Sequence, residues 1–161
     1  MGRGRKLRWN FLVVCAVLAF AVFIGGVAFM VWGVRWMGGQ KQFRLELAQS
    51  IRRSVLEGVT ARGADGAESD PHLDELNELL LFITDSEYFV SRGEAEAGAE
   101  VISLEFGDGA ELTFTRIGDL AVRAEFDRPQ GRDYRYDLGS TGLTPEGMMD
   151  RIAGMLGLGE K

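Results

Sequence analysis

The chain has 161 residues, with 18 basic and 24 acidic residues, a formal net charge of −6, one cysteine and one histidine. A single cysteine excludes an intramolecular disulfide and a cysteine-based zinc site. Four basic residues precede a long apolar segment, and beyond that segment 14 basic residues face all 24 acidic residues, a charge of about −10. Such a surface repels nucleic acid and anionic lipid headgroups, so we expect neither as a partner.

The N-terminal part of the chain is dominated by residues 11–34, FLVVCAVLAFAVFIGGVAFMVWGV, which contain no charge. A helix of this length reaches roughly 36 Å, enough to cross a hydrocarbon layer about 30 Å thick. Four basic residues lie before the segment and three lie shortly after it, so the positive-inside rule predicts a cytoplasmic N-terminus. We therefore expect a cytoplasmic basic tail at residues 1–10, a transmembrane helix at residues 11–34 and an extracytoplasmic C-terminal part.

Three other interpretations of the apolar segment were compared. Ala19 and Ala21 form an A-x-A cleavage pattern, but apolar sequence continues well beyond them, which favours an uncleaved signal anchor over a signal peptide. Cys15 lies too close to the start of the segment to suit a lipoprotein. Ala21, Gly25 and Ala28 recur at i, i+4 and i+7, so they are candidates for a helix–helix contact in the membrane.

A joint, a helix and a linker are predicted between the anchor and the domain. Residues 35–40 contain two glycines, and residues 41–57 repeat an apolar residue every fourth position, at Phe43, Leu47, Ile51 and Val55. Residues 35–58 therefore predict a juxtamembrane joint and an amphipathic helix, which continues the spanning helix, lies on the membrane or packs on the domain. Residues 59–69 are small and polar and predict a flexible linker.

Residues 70–161 predict an extracytoplasmic α+β domain. Asp70 and Pro71 indicate the start of a helix over 71–84, and Thr144 followed by Pro145 indicates another over 145–156. Between them the periodicity changes to two in five runs, at 87–91, 102–106, 110–115, 120–126 and 133–138. We expect a five-stranded antiparallel meander whose apolar face is packed by the two helices and whose polar face is open.

The register of the hairpins follows from the same alternation. A three-residue loop at 107–109 places Leu104 opposite Leu112, at the cost of setting Glu105 across from Glu111. The same reasoning places Phe114 opposite Val122.

The sequence carries no recognisable catalytic motif. It has no glycine-rich phosphate loop and no nucleophile–base pair, and His72 lies alone at the exposed start of a helix. Glu94, Glu96 and Glu100 lie on one acidic loop without the spacing of an EF-hand. We therefore expect no enzymatic activity, no cofactor and no metal.

The leading hypothesis is a non-catalytic, single-pass protein whose outer domain mediates protein–protein interaction at the cell envelope. Its candidate interaction surface is the polar face of the sheet, at Glu105, Thr113, Arg123 and Arg135, where the arginines can also pair with carboxylates. One alternative is a pilin-like assembly subunit, although no glycine–aromatic processing site precedes the apolar segment. Another is a sensory domain for a small ligand. The excess of arginine over lysine, fifteen to three, is typical of a GC-rich bacterial genome.

Overall fold

The computed structural model describes residues 3–90, 94–95 and 97–158, with side-chain environments from Val14 onward. Backbone contacts divide the chain into two compact units, Met1–Gln42 and Phe43–Lys161. In chain order the elements are α1 (Arg3–Glu57), β1 (Val59–Arg62), β2 (Glu68–Ser69), α2 (Leu73–Asp85), β3 (Glu87–Phe89), β4 (Val101–Phe106), β5 (Glu111–Ile117), β6 (Ala121–Asp127), β7 (Tyr134–Gly139) and α3 (Pro145–Met155).

The first unit consists of the N-terminal part of α1. This helix is long and apolar enough to cross a membrane, which makes it a candidate anchor by length and composition. The predicted glycine joint at residues 35–40 is continuous helix instead. Each of the adjacent glycines Gly38 and Gly39 lowers helix stability by about 1 kcal/mol, which is too little to interrupt a helix as long as this one.

The amphipathic part of α1, Phe43–Glu57, belongs to the second unit and packs on the sheet. Phe43, Leu47 and Ile51 are buried, as their spacing predicted. The Phe43 ring lies 5.5–6.4 Å, centroid to centroid, from four aromatic rings of the sheet, those of Tyr88, Phe126, Tyr134 and Tyr136. Of the three arrangements that the sequence left open for this helix, the structure shows two together: the helix packs on the domain, and it continues the preceding apolar helix as one element, α1.

The sheet has seven antiparallel strands in the order β2-β1-β4-β5-β6-β7-β3, so the prediction of a five-stranded meander was wrong. The two additional strands lie in the predicted linker at residues 59–69, where β1 and β2 form a hairpin. The Gly63 amide donates to the Ala67 carbonyl at 2.8 Å, and Gly66 has a φ of +80°. The small residues of this segment suit a tight turn as well as they suit a linker.

Strand β3 also lies elsewhere than predicted. It pairs with β7, with Tyr88 opposite Leu138, so it forms the sheet edge farthest from β2. The chain between β3 and β4 therefore has to cross the width of three strands. The alternation of apolar and polar residues along β3 shows which of its side chains share a face. It does not show which strand β3 pairs with.

The predicted register is confirmed in the first hairpin and wrong in the second. Leu104 lies opposite Leu112, and the like-charged pair Glu105–Glu111 is present. Phe114, however, lies opposite Ala124, two residues from the predicted partner. The reason is the loop: Ile117 pairs with Ala121, so Leu120 stands in the turn, 75% exposed, and does not begin the strand.

Helices α2 and α3 and the segment Phe43–Glu57 cover the apolar face, so three helical segments pack there where two were predicted. Helix α2 begins at Leu73, two residues later than predicted, because His72 has extended backbone and its amide donates to Glu75 Oε2 at 2.6 Å. The predicted cap of α3 is confirmed, since Thr144 Oγ1 accepts from the Gly147 amide at 3.2 Å.

The sequence predicted that the opposite, polar face of the sheet is open. In the structure part of this face is buried. Arg123 on β6 and Asp137 on β7 lie opposite each other and are each 1% exposed. Arg135 and Glu125 form a second pair on that face, with 3.0 Å between Nε and Oε1, and remain largely exposed. The expectation that the arginines of this face pair with carboxylates is confirmed.

Candidate docking groove

An open groove of about 830 Å³ lies in the second unit, where three stretches of the chain, at residues 54–60, 70–76 and 105–109, meet. These stretches are the C-terminal end of α1 with the start of β1, the residues leading into α2, and the β4–β5 turn. The lining residues are Ser54, Val55, Glu57, Gly58, Val59, Thr60, Asp70, Pro71, His72, Leu73, Leu76, Glu105, Phe106, Gly107 and Gly109.

Glycines shape the wall of the groove. Gly58 ends α1 with a φ of +84°, and its amide donates to the Ser54 carbonyl at 2.8 Å. The Gly107 amide in turn donates to the Gly58 carbonyl at 3.0 Å, which holds the β4–β5 turn against the helix end. A Cβ at position 107 would lie 2.6 Å from the Glu57 carbonyl oxygen, so this approach requires glycine.

The groove has a buried apolar floor and an exposed apolar rim. Leu76 and Phe106 on the floor are buried. On the rim, Val55 is 60% exposed and Leu73 is 41% exposed, and the neighbouring Leu56 is 91% exposed. Single exposed aliphatic side chains are common, but a cluster around a concave surface is typical of an interaction site.

The charged residues that line the groove are all acidic. They are Glu57, Asp70 and Glu105, and among the residues that the structure describes neither a lysine nor an arginine lines the groove. Glu105 is partly neutralised by Arg62, whose Nη1 lies 3.4 Å away, while Asp70 accepts a 3.4 Å hydrogen bond from the Thr60 hydroxyl. Glu57 makes neither an ion pair nor a side-chain hydrogen bond with the described residues, so its charge is available to a ligand.

Arg62 lies outside the groove between two carboxylates. Its Nε lies 2.9 Å from Glu68 Oε1, and the hydrogen bond with Glu68, followed by the charges of Glu68 and Glu105, raises the pKa of the guanidinium. Arg62 therefore stays charged and offsets only part of the negative potential at this side of the sheet. The exposed geometry makes its contribution to stability small.

The groove offers apolar contacts and carboxylates to a ligand. His72 lines it and is exposed, but no nucleophile–base pair accompanies it. Among the residues that the structure describes, no group of three or more histidine, cysteine, aspartate or glutamate side chains is placed to hold a metal ion. An apolar floor with carboxylates at its margin suits the capture of a partly apolar, positively charged group.

A second, smaller cavity of about 280 Å³ lies beside the middle of the Phe43–Glu57 segment, at residues 46–53. There Arg128 Nη2 lies 2.6 Å from Glu46 Oε2, and the Ser50 hydroxyl donates to Asp108 at 2.9 Å. Burial, together with a hydrogen bond to Glu46, raises the pKa of Tyr134 to about 12. These polar contacts fasten the helix to two turns of the sheet, which is a structural role.

The four sheet residues predicted as an interaction surface do share one face, on the consecutive strands β4 to β7. Glu105 and Arg135 are exposed, and each forms an ion pair, Glu105 with Arg62 and Arg135 with Glu125. Thr113 is half-buried on β5. Arg123 is buried against Asp137 and so cannot form part of an exposed surface. The structure therefore gathers the set on one face without making it a concave site.

The other predicted positions are described only in part. Ala21, Gly25 and Ala28 are exposed on α1, and the contact proposed for them stays a prediction. Glu96 of the acidic loop lies outside the described residues, as does Ser91 at the end of the predicted strand 87–91.

Sequence reasoning missed the rim of the groove. Val55 was assigned to the buried stripe of the amphipathic helix, but the buried positions after Ile51 continue at Ser54, and Val55 points to solvent. A signal was present, since Val55 and Leu56 are adjacent apolar residues and both cannot lie on a stripe as narrow as this one. The adjacency marks an apolar surface beyond the core-facing side of the helix.

Comparisons of this chain with protein-family models, with curated proteins and with solved structures found no match.

Proposed function

We propose that this chain is a single-pass membrane protein whose acidic α+β domain lies outside the cytoplasm and binds another protein of the cell envelope without catalysing a reaction. The observation that carries this proposal is the groove with its exposed apolar rim. A small domain that leaves Val55 and Leu73 in water around a concavity loses stabilisation that it would gain by covering them. A bound partner removes these side chains from water.

The anchor supports the same proposal. An apolar helix at the N-terminus holds the domain at a bilayer, which restricts its encounters to proteins of the same surface and raises their effective concentration. The predicted orientation follows from the arginines and lysine of residues 1–10. The described residues of the groove offer apolar and acidic side chains, which support binding of a partner.

Photo-cross-linking in native membranes tests the interaction. A photoreactive amino acid is placed at Val55 or Leu73 on the rim, and at Leu81 or Leu120 as exposed aliphatic controls elsewhere on the domain. We expect a discrete adduct from the rim positions, identified by mass spectrometry as the same protein in each case. Absence of a reproducible adduct from all four positions would contradict the proposed function.

Cysteine labelling tests the orientation. In a background in which the single cysteine is replaced, Cys15→Ala, the variants Asp119→Cys and Arg5→Cys place one thiol in the domain and one in the basic tail. We expect a membrane-impermeant maleimide to label position 119 in intact cells and position 5 only after permeabilisation. The reverse pattern would place the domain in the cytoplasm.

A small-molecule sensor is the second candidate, because the groove volume of about 830 Å³ falls within the range of ligand pockets. A thermal-shift screen of the full chain in detergent tests it. A ligand that raises the melting temperature in the wild type, but not in Leu73→Asp, would favour a sensor over a protein-binding domain.

A further inference from the structure

We infer that the groove recognises a short segment of another protein that combines aliphatic side chains with lysine or arginine. This inference rests on the proposed function and specifies the chemistry of the partner. It is carried by the combination, in one concavity, of an apolar floor and a wholly acidic set of charged side chains.

The apolar part of the recognition comes from the floor and the rim. Leu76 and Phe106 present a buried base, and Val55 and Leu73 rise from it into solvent on opposite sides. An aliphatic side chain inserted between them removes apolar surface of both partners from water, and each such side chain contributes roughly 1.5–3 kcal/mol when fully buried. This term is independent of the sign of the partner's charge.

The carboxylates of the groove favour a partner segment with positive charge. Glu57 has no charged partner among the described residues, Asp70 is engaged only by a hydroxyl at 3.4 Å, and neither arginine nor lysine lines the groove. A segment with acidic residues would meet uncompensated repulsion here, which discriminates against it. A lysine or arginine next to the apolar anchor gains an ion pair with a carboxylate whose charge the domain leaves available.

The charge of the whole domain acts in the same direction. The unit Phe43–Lys161 contains 12 basic residues against all 24 acidic residues of the chain, a net charge of −12. A surface of this sign attracts basic segments over a distance of about 10 Å at moderate salt and raises their rate of association. Local and overall charge therefore favour the same class of partner.

Fluorescent peptides measure the recognition directly. The full-length protein is placed in nanodiscs of zwitterionic lipid, and empty nanodiscs report binding to lipid. Three peptides of equal length are compared in a serine–glycine background: one with three leucines and three lysines, one with the leucines replaced by serine, and one with the lysines replaced by glutamate. We expect the leucine–lysine peptide to bind about tenfold more tightly than either of the others.

Variants of the protein assign the binding to the groove. We expect the charge reversals Glu57→Lys and Asp70→Lys each to weaken the leucine–lysine peptide about tenfold, and Asp119→Lys, an exposed acid in a distant turn, to weaken it less than about twofold. Val55→Ser is a second rim variant, because a lining side chain that is 60% exposed can be replaced without unfolding the domain. Far-UV circular dichroism checks the fold of each variant.

Two results would overturn the inference. One is equal affinity for the three peptides, or no binding of any; the other is an equal effect of Asp119→Lys and Glu57→Lys, which would mean attraction by the domain charge alone. If cross-linking in membranes yields a partner at Leu81 or Leu120 and none at the rim positions, the groove inference fails while the proposed function stands. If no position yields an adduct, the proposed function fails as well.

Discussion

Arg123 Nε lies 2.8 Å from Asp137 Oδ1 in the middle of the sheet, and the two side chains are among its most completely buried. A second contact of 3.3 Å joins Nη2 to Oδ2, so the pair is bidentate. Both charges have been removed from water, which costs several kcal/mol per ion and is offset only by their mutual interaction and their other hydrogen bonds. Removing one partner therefore leaves the other charge buried without its principal compensation.

We expect Arg123→Met and Asp137→Leu each to lower the free energy of unfolding by about 3–5 kcal/mol, and the double variant to lower it by less than either. Chemical unfolding of the full chain in detergent, followed by far-UV circular dichroism, measures this. Arg135→Met on the same face is the control. Its pair with Glu125 is largely exposed, so its loss costs less than about 1 kcal/mol. A double variant as unstable as the sum of the singles would contradict the interpretation.

Phe43 connects the helix to the sheet, since its ring contacts four aromatic rings and is fully buried. We expect Phe43→Ala to cost about 3–5 kcal/mol, because the surrounding rings cannot collapse into the space. Leu45→Ala, two residues away on the exposed side of the same helix, should change stability by less than about 0.5 kcal/mol. All three tryptophans lie before Phe43, so circular dichroism is the measurement of choice over tryptophan fluorescence.

Local pattern accounts for the parts of the fold that the sequence predicted. The α+β class, the Thr144 cap and the Leu104–Leu112 register each depend on residues within about ten positions of one another. The pairing of β3 with β7 and of β1 with β4 joins residues some 40–50 positions apart, for which alternation offers no partner. The strand count and the sheet order were wrong for this reason.

The groove is a product of the same long-range contacts. Its wall joins Glu57 to Gly107 and its floor joins Leu76 to Phe106, and none of these residues carries a catalytic or ligand-binding signature by itself. For Arg123 the local pattern predicted one property and missed another. Alternation placed it correctly on the polar face, but its burial depends on how other segments pack there.

The contact between Gly107 and α1 gives a further prediction. A Cβ at position 107 would lie 2.6 Å from the Glu57 carbonyl oxygen, so we expect Gly107→Ala to push the β4–β5 turn from the helix end at a cost of about 1–3 kcal/mol. Gly154→Ala is the matched control. No atom lies within 4 Å of a Cβ there, and alanine in a helix interior is favoured over glycine by about 1 kcal/mol. Thermal unfolding should move the two variants in opposite directions.

The tyrosines give a prediction on pH dependence. The chain has three, Tyr88, Tyr134 and Tyr136, and burial raises the pKa of each, that of Tyr134 to about 12. In the unfolded chain a tyrosine titrates near pH 10. Below that pH the hydroxyl is protonated in both states and its contribution to stability is complete. Between about pH 10 and 12 the unfolded state loses the proton first, so the free energy of unfolding falls as pH rises.

We expect Tyr134→Phe to lose less stability between pH 10 and 12 than the wild type, because the phenyl ring has no proton to release. Tyr88 and Tyr136 keep their own contributions, so part of the alkaline decline remains. Absorbance at about 295 nm gives an independent measurement, in which the native tyrosinate titration lies above pH 10 and returns to about 10 in denaturant. An unchanged alkaline slope in Tyr134→Phe, with the native titration near 10, would show that the hydroxyl is solvated in the folded protein and that Glu46 does not accept its hydrogen bond.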